Sequence, residues 1–97
     1  YTYIATMKEC LEVCAAANCP VIVLDRPNPL GGDIVEGPIA ENTNSFVCCA
    51  PIPVRHGMTL GELALHFAAT MRPAPKIEVV RLDNWKRRFL FDQCALP

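Results

Sequence analysis

The sequence has no excess of either charge: 20% of its 97 residues are charged and the formal net charge is −1. That balance leaves no electrostatic footprint for nucleic acid or an anionic membrane surface. No apolar run approaches the roughly 20 residues that span a bilayer, so no membrane insertion is expected. The chain starts at Tyr1, and nothing there resembles a basic stretch leading into an apolar signal core. There is no Walker-type phosphate loop, no G-x-G-x-x-G and no G-x-S-x-G. The usual marks of nucleotide binding and serine hydrolysis are therefore missing. Cysteine and histidine pairs at zinc-finger spacing are missing too, and no metal or cofactor is expected.

What is present is a globular composition, 52% hydrophobic, with a length that fits one domain at most. The six cysteines do not read as a disulfide framework: Cys10 and Cys14 sit one helical turn apart among apolar neighbours, and Cys48 and Cys49 are adjacent. Buried, reduced thiols packing as small hydrophobes are expected.

Helical spacing of Ile4, Met7, Leu11 and Cys14, with Cys10 beside them and Lys8, Glu9 and Glu12 opposite, predicts an amphipathic helix over residues 2–18. Asn18 suits a left-handed terminus and Pro20 blocks continuation. Val21 to Leu24 is an unbroken aliphatic run, as in a strand covered on both faces. Pro27, Pro29, Gly31 and Gly32 make the following segment a turn. Asp33 to Gly57 reads as a long irregular connection with a short apolar stretch at Phe46 to Ala50; loops of that length are usually functional. Thr59 and Glu62 form a Thr-x-x-Glu capping box opening a second amphipathic helix through Met71, which Pro73 and Pro75 end. Ile77 to Leu82 reads as a more exposed strand, an edge candidate. A helix feeding a buried strand, with a further helix and strand after it, is an α/β pattern built on a parallel sheet.

Ligands of open parallel sheets bind beyond the carboxyl ends of the strands. Asp25 and Arg26 stand at that end. They either cap the turn and pair at the surface or take part in chemistry. Glu36 is a second loop carboxylate. Glu62 is explained by its capping box, and His66 falls on the polar side of its helix. Arg55 and His56 occupy a constrained loop just before a helix N-terminus, where an anion is favoured. Trp85, followed by Lys86, Arg87 and Arg88, offers either an aromatic platform for a sugar ring beside cations or an indole packed on the sheet.

Taken together, "YTYI" (Tyr1–Ile4), "VLDRPNPLGG" (Val23–Gly32), "VEGP" (Val35–Pro38), "SFV" (Ser45–Val47), "PIPVRHGMTLGELA" (Pro51–Ala64) and "NWKR" (Asn84–Arg87) resemble the YbbC/NamZ family of exo-β-N-acetylmuramidases across nearly the whole chain. The resemblance implies a Rossmann-like parallel-sheet domain, of which residues 1–97 are an incomplete part of the N-terminal, catalytic unit. An upstream segment with a "PEHG"-type glutamate, the family's leading catalytic candidate, and a smaller C-terminal domain would lie outside the chain. It implies hydrolysis of non-reducing-end N-acetylmuramic acid from peptidoglycan fragments, in a periplasmic or secreted setting. By matching positions, it points to Asp25, Glu36 and His56 as catalytic candidates and to Arg26, Asn28, Arg55, Trp85 and Arg87 as substrate-binding ones, with Arg26 and Arg55 meeting the lactyl carboxylate. Cys48 and Cys49, and "CALP" at Cys94 to Pro97, depart from the family pattern. The rival expectations are a non-catalytic sugar-binding module and a sugar-processing transferase.

Overall fold

The structure is a computed structural model, and it describes residues 2–39, 41 and 49–94. Tyr1, Ser45 to Cys48 and the last three residues of the "CALP" stretch lie outside the described residues.

Helix α1 spans Thr2–Ala16. Leu11 and Ala5 are buried, with Ile4 and Met7 packed beside the core, so the helical spacing of the sequence is the buried stripe. Glu9 and Glu12 face solvent as expected, but Lys8 does not. Its ammonium donates to the carbonyl of Cys49 at 2.7 Å and lies 6.0 Å from the centre of the Phe67 ring. The helix ends with Asn18 at φ 53°, its N–H on the carbonyl of Ala15 and the N–H of Cys19 on that of Cys14. That is a Schellman terminus, for which asparagine tolerates the left-handed backbone.

Strand β1 (Val21–Leu24) pairs in parallel with the last of the strands, β4 (Ile77–Val80), in register Val21 with Ile77 through Leu24 with Val80. Helix α2 (Leu60–Ala68) lies on the path between them. Leu11, Val23, Leu63, Ala64 and Phe67 form the core where α1, α2 and the sheet meet. Each fully buried large aliphatic or aromatic side chain there contributes about 1.5–3 kcal/mol. The expectation of a strand covered on both faces is corrected: Val23 is buried, but Ile22 and Leu24 are 63% and 66% exposed. Their β4 neighbours Glu78 and Val80 are exposed on the same side, so among the described residues the helices cover one face only. Strand alternation forces this, because successive side chains point to opposite faces.

The long connection is less irregular than its sequence suggests. Strand β2 (Glu36–Ile39) pairs antiparallel with β3 (Pro53–Arg55), an arm separate from the parallel pair. Pro38 and Pro53 hid these strands from a propensity reading, yet a two-stranded arm has edges on both sides, where proline is tolerated. The cysteine expectation is corrected in part: Cys10, Cys14, Cys19, Cys49 and Cys94 are all free thiols, but Cys10 and Cys19 are exposed.

Candidate functional site at the carboxyl end of the sheet

The capping box opens α2 as the sequence spells it. Thr59 Oγ1 accepts from the N–H of Glu62 at 3.2 Å, and Glu62 Oε1 accepts from the N–H of Thr59 at 3.3 Å. One backbone bond past β1, the N–H of Asp25 donates to the carbonyl of Val80, extending the parallel ladder. Asp25 Oδ1 then accepts from the N–H of Gly61 at 2.7 Å and from the N–H of Arg26 at 2.9 Å. A carboxylate placed against the first turn of a helix satisfies N–H groups that have no partner within the helix. Gly61 is required for this approach: a Cβ there would fall 2.6 Å from Val79 Cγ1 and 3.1 Å from Asp25 Oδ1.

The proline-rich turn is anchored by Asn28, which is 9% exposed. Its amide nitrogen donates to the carbonyl of Met58 at 3.1 Å, and its oxygen accepts from the N–H of Leu30 at 3.0 Å in an Asx-type turn. One polar end of Asn28 therefore closes the turn itself and the other joins it to the entry of α2. Arg55 at the end of β3 caps the same turn: Nε donates to the carbonyl of Leu30 at 2.9 Å, Nη2 shares that carbonyl, and Nη1 stands 3.4 Å from Glu36 Oε2. The cross-strand pairing of Glu36 with Arg55 puts that acid and base together. Glu36 remains largely exposed.

Arg87 is the second fastener, and the sequence reading did not see how it is used. Nη1 donates to the carbonyls of Gly32 at 3.2 Å and Gly57 at 3.1 Å, and Nη2 donates to Glu62 Oε1 at 2.7 Å. The guanidinium also lies 5.8 Å from the centre of the Trp85 ring. Gly32 has no room for a side chain, since a Cβ would sit 2.4 Å from Arg87 Cγ. Glu62 is thus more than a cap. Partial burial pushes its pKa up, but the bonds from Arg87 and Thr59 outweigh that, and the carboxyl lies below the ordinary glutamate range. A pair 25 residues apart leaves no mark in one sequence, and the capping box already accounted for the acid.

His56 is half-buried beside these loops. Its Nδ1 accepts from the N–H of Met58 at 3.1 Å, which assigns the proton of the neutral ring to Nε2. Burial lowers its pKa, so near neutral pH it offers a neutral N–H donor. Arg26 contrasts with Arg55 and Arg87 in that no described residue bonds its guanidinium, and it is exposed. The Trp85 ring is half-buried, and its Nε1 is buried without a hydrogen-bond partner among the described residues.

The turn after β1, the end of β3 and the first turn of α2 therefore bring Asp25, Asn28, Arg55 and His56 to one rim, with Arg26 and Glu36 on its exposed side. Arg87 ties the turn and the entry of α2 together, with Trp85 beneath its guanidinium. A sizeable cleft lies elsewhere. About 590 Å³ opens between α1 and the carboxyl end of α2, lined by Lys8, Glu12, His66, Phe67, Thr70 and Arg72 among others, and it touches none of the rim residues. No described group of three or more His, Cys, Asp or Glu residues is arranged to hold a metal ion. No described helix is long and apolar enough to cross a membrane.

The chain is 47% identical over its whole length to the peptidoglycan beta-N-acetylmuramidase NamZ of Bacillus subtilis (strain 168), and covers 24% of that protein. The structure matches two DUF1343 family proteins of Bacteroides fragilis NCTC 9343. BF0371 has a TM-score of 0.88 at 42% identity, over 99% of this chain and 26% of that one. BF0379 has a TM-score of 0.79 at 37% identity, over 90% of this chain and 26% of that one. The chain thus spans about a quarter of the length of the relatives it matches, and the fold is the corresponding part of their α/β architecture. The model of the family described as exo-beta-N-acetylmuramidase NamZ, N-terminal, matches residues 1–97, and the chain belongs to that family.

Proposed function

We propose that the full-length protein carrying this chain is a glycosidase that releases non-reducing-end N-acetylmuramic acid from peptidoglycan fragments, and that residues 1–97 are part of its Rossmann-like catalytic domain. The observation that carries the reading is the 47% identity, without a gap in coverage of this chain, to a protein named for that activity. The rim supports it chemically. Glycoside hydrolysis needs one carboxylic acid to protonate the leaving oxygen and a second carboxylate as base or nucleophile.

In this reading Asp25, held against the first turn of α2, is the second carboxylate or the acceptor for a sugar hydroxyl. Glu36 is the alternative for that role, set at the rim by Arg55. The acid is the glutamate of the family's upstream segment. His56 donates its Nε2 proton to a sugar oxygen. Arg26, with its fork unengaged, meets the lactyl carboxylate as a planar, bidentate partner. Asn28, Arg55 and Arg87 hold the turn that frames the sugar, and Trp85 supplies the apolar surface beside it.

The test is incubation of the full-length protein with the muramic acid–glucosamine disaccharide. Appearance of free N-acetylmuramic acid supports the reading. Saturable binding without release identifies a sugar-binding module, and release that depends on a nucleotide-sugar donor identifies a transferase.

A further inference from the structure

Three cysteines cluster at the end of α1 that points away from the rim. Cys10 and Cys14 are one helical turn apart, and Cys19 follows the Schellman terminus. The terminus decides which thiols can meet. The N–H of Cys19 is bonded to the carbonyl of Cys14 at 2.8 Å and Asn18 turns the chain back on itself, so residues 14 and 19 lie across the closing turn from each other. The exposed Cys19 thiol donates to the carbonyl of Pro20 at 3.7 Å, and Cys14 is half-buried across the same turn. Cys10 and Cys14 cannot be joined while the helix is intact. Residues four apart on a helix hold their Cβ atoms about 5–6 Å apart, whereas a disulfide needs roughly 3.5–4.5 Å.

We propose that Cys14 and Cys19 form a modification site: a dithiol that a low-molecular-weight disulfide oxidises to an intramolecular bridge across the end of α1, leaving Cys10 as a thiol. Exposed Cys19 is the entry point. Its thiolate attacks one sulfur of glutathione disulfide, breaking that S–S bond, expelling one glutathione thiolate and forming a mixed disulfide on Cys19. Cys14 then loses its proton to solvent and attacks the Cys19 sulfur, expelling the second glutathione. Two protein thiols are oxidised and one glutathione disulfide is reduced to two thiols, so the electrons balance. Half-burial and the neighbouring Cys19 and Cys10 sulfurs hold the Cys14 thiol above its ordinary pKa, which suits the second, intramolecular role. The bridge would fasten the helix terminus without moving it, because the backbone already closes there.

The experiment is oxidation of the native full-length protein with glutathione disulfide, alkylation of remaining thiols, and digestion with trypsin and a glutamate-specific protease. Cleavage after Glu9, Glu12 and Glu36 separates Cys10 from the other two, the Arg26–Pro27 bond resisting trypsin. The expected result is a 13–36 peptide lighter by two hydrogens and unalkylated, with Cys10 alkylated in the 10–12 peptide. Cys10→Ser should leave the bridge unchanged. Cys19→Ser should remove it and leave Cys14 alkylated. A 10–12 peptide linked to the 13–36 peptide, or native protein whose Cys14 and Cys19 remain fully alkylated after oxidation, would overturn the proposal.

Discussion

The two ends of helix α2 differ in what they are made of. At its start, Asp25, Asn28, Arg55, Arg87 and Glu62 are bonded to backbone groups of several loops. At its carboxyl end a cleft of about 590 Å³ opens, lined by alanines, two prolines and a few charged side chains among others. Volume therefore points to one end and organised chemistry to the other. The start of α2 is where precise groups are held by backbone bonds, which is what a reacting or recognising site requires. The cleft has room but few convergent polar groups, and room alone does not orient a substrate.

The largest effect that separates the two ends is expected from Asp25→Asn. Asparagine keeps an oxygen to accept from Gly61 and Arg26 but removes the charge. Turnover of the disaccharide should fall at least about a hundredfold with the fold intact, as for loss of a working carboxylate. Near-normal turnover, measured together with an unchanged circular dichroism melt, would return Asp25 to helix docking alone.

Gly61→Ala comes next. Its methyl group would meet Val79 at 2.6 Å and the Asp25 carboxyl at 3.1 Å. Forcing it in should cost about 1–3 kcal/mol, read as a lowered denaturant midpoint with an unchanged slope. An unaffected midpoint would mean that the sheet and α2 are not packed this closely.

Glu62→Gln tests a smaller term. From the capping box alone this change reads as silent, since glutamine keeps the cap bond. The Arg87 partner changes that expectation, because glutamine gives up the charged acceptor. The carboxyl's pKa is depressed in the fold, so its stabilisation is present above the unfolded-state value and fades as pH falls through the folded one, below the ordinary glutamate range. Both partners are more than a third exposed, so the loss near neutral pH should stay at or below about 1 kcal/mol. Denaturant melts from pH 7 to pH 3 should show the gap between wild type and variant closing towards acid. A gap that widens would reverse the assigned sign.

How much of this was legible in the sequence differs between local and distant features. The cap at Thr59 and Glu62, the stop at Asn18 and Pro20 and the buried stripe of α1 follow from neighbouring residues, and they are where the spacing puts them. The arm of β2 and β3 was not legible, because Pro38 and Pro53 mask strand propensity and its pairing joins segments far apart. Within the rim, the sheet-end position of Asp25 was readable from the strand before it. That Asn28 is buried and that Arg55 and Arg87 spend their guanidinium groups on carbonyls was not, since identical residue types serve solvent, substrate or backbone equally well. Among Arg26, Arg55 and Arg87, those long-range bonds leave Arg26 as the one whose guanidinium no described residue engages.

That difference sets the decisive measurement, on Arg26→Met at the rim and Arg72→Met at the cleft in the full-length protein. Release of N-acetylmuramic acid should be followed against substrate concentration, with the free lactyl carboxylate and with its methyl ester. Arg26→Met should raise KM for the free acid by about tenfold or more, as loss of a charge-assisted bidentate pair does, with little effect on the ester. Arg72→Met should leave both substrates within twofold of wild type. A rise in KM confined to Arg72→Met would contradict the account and move the sugar site to the cleft.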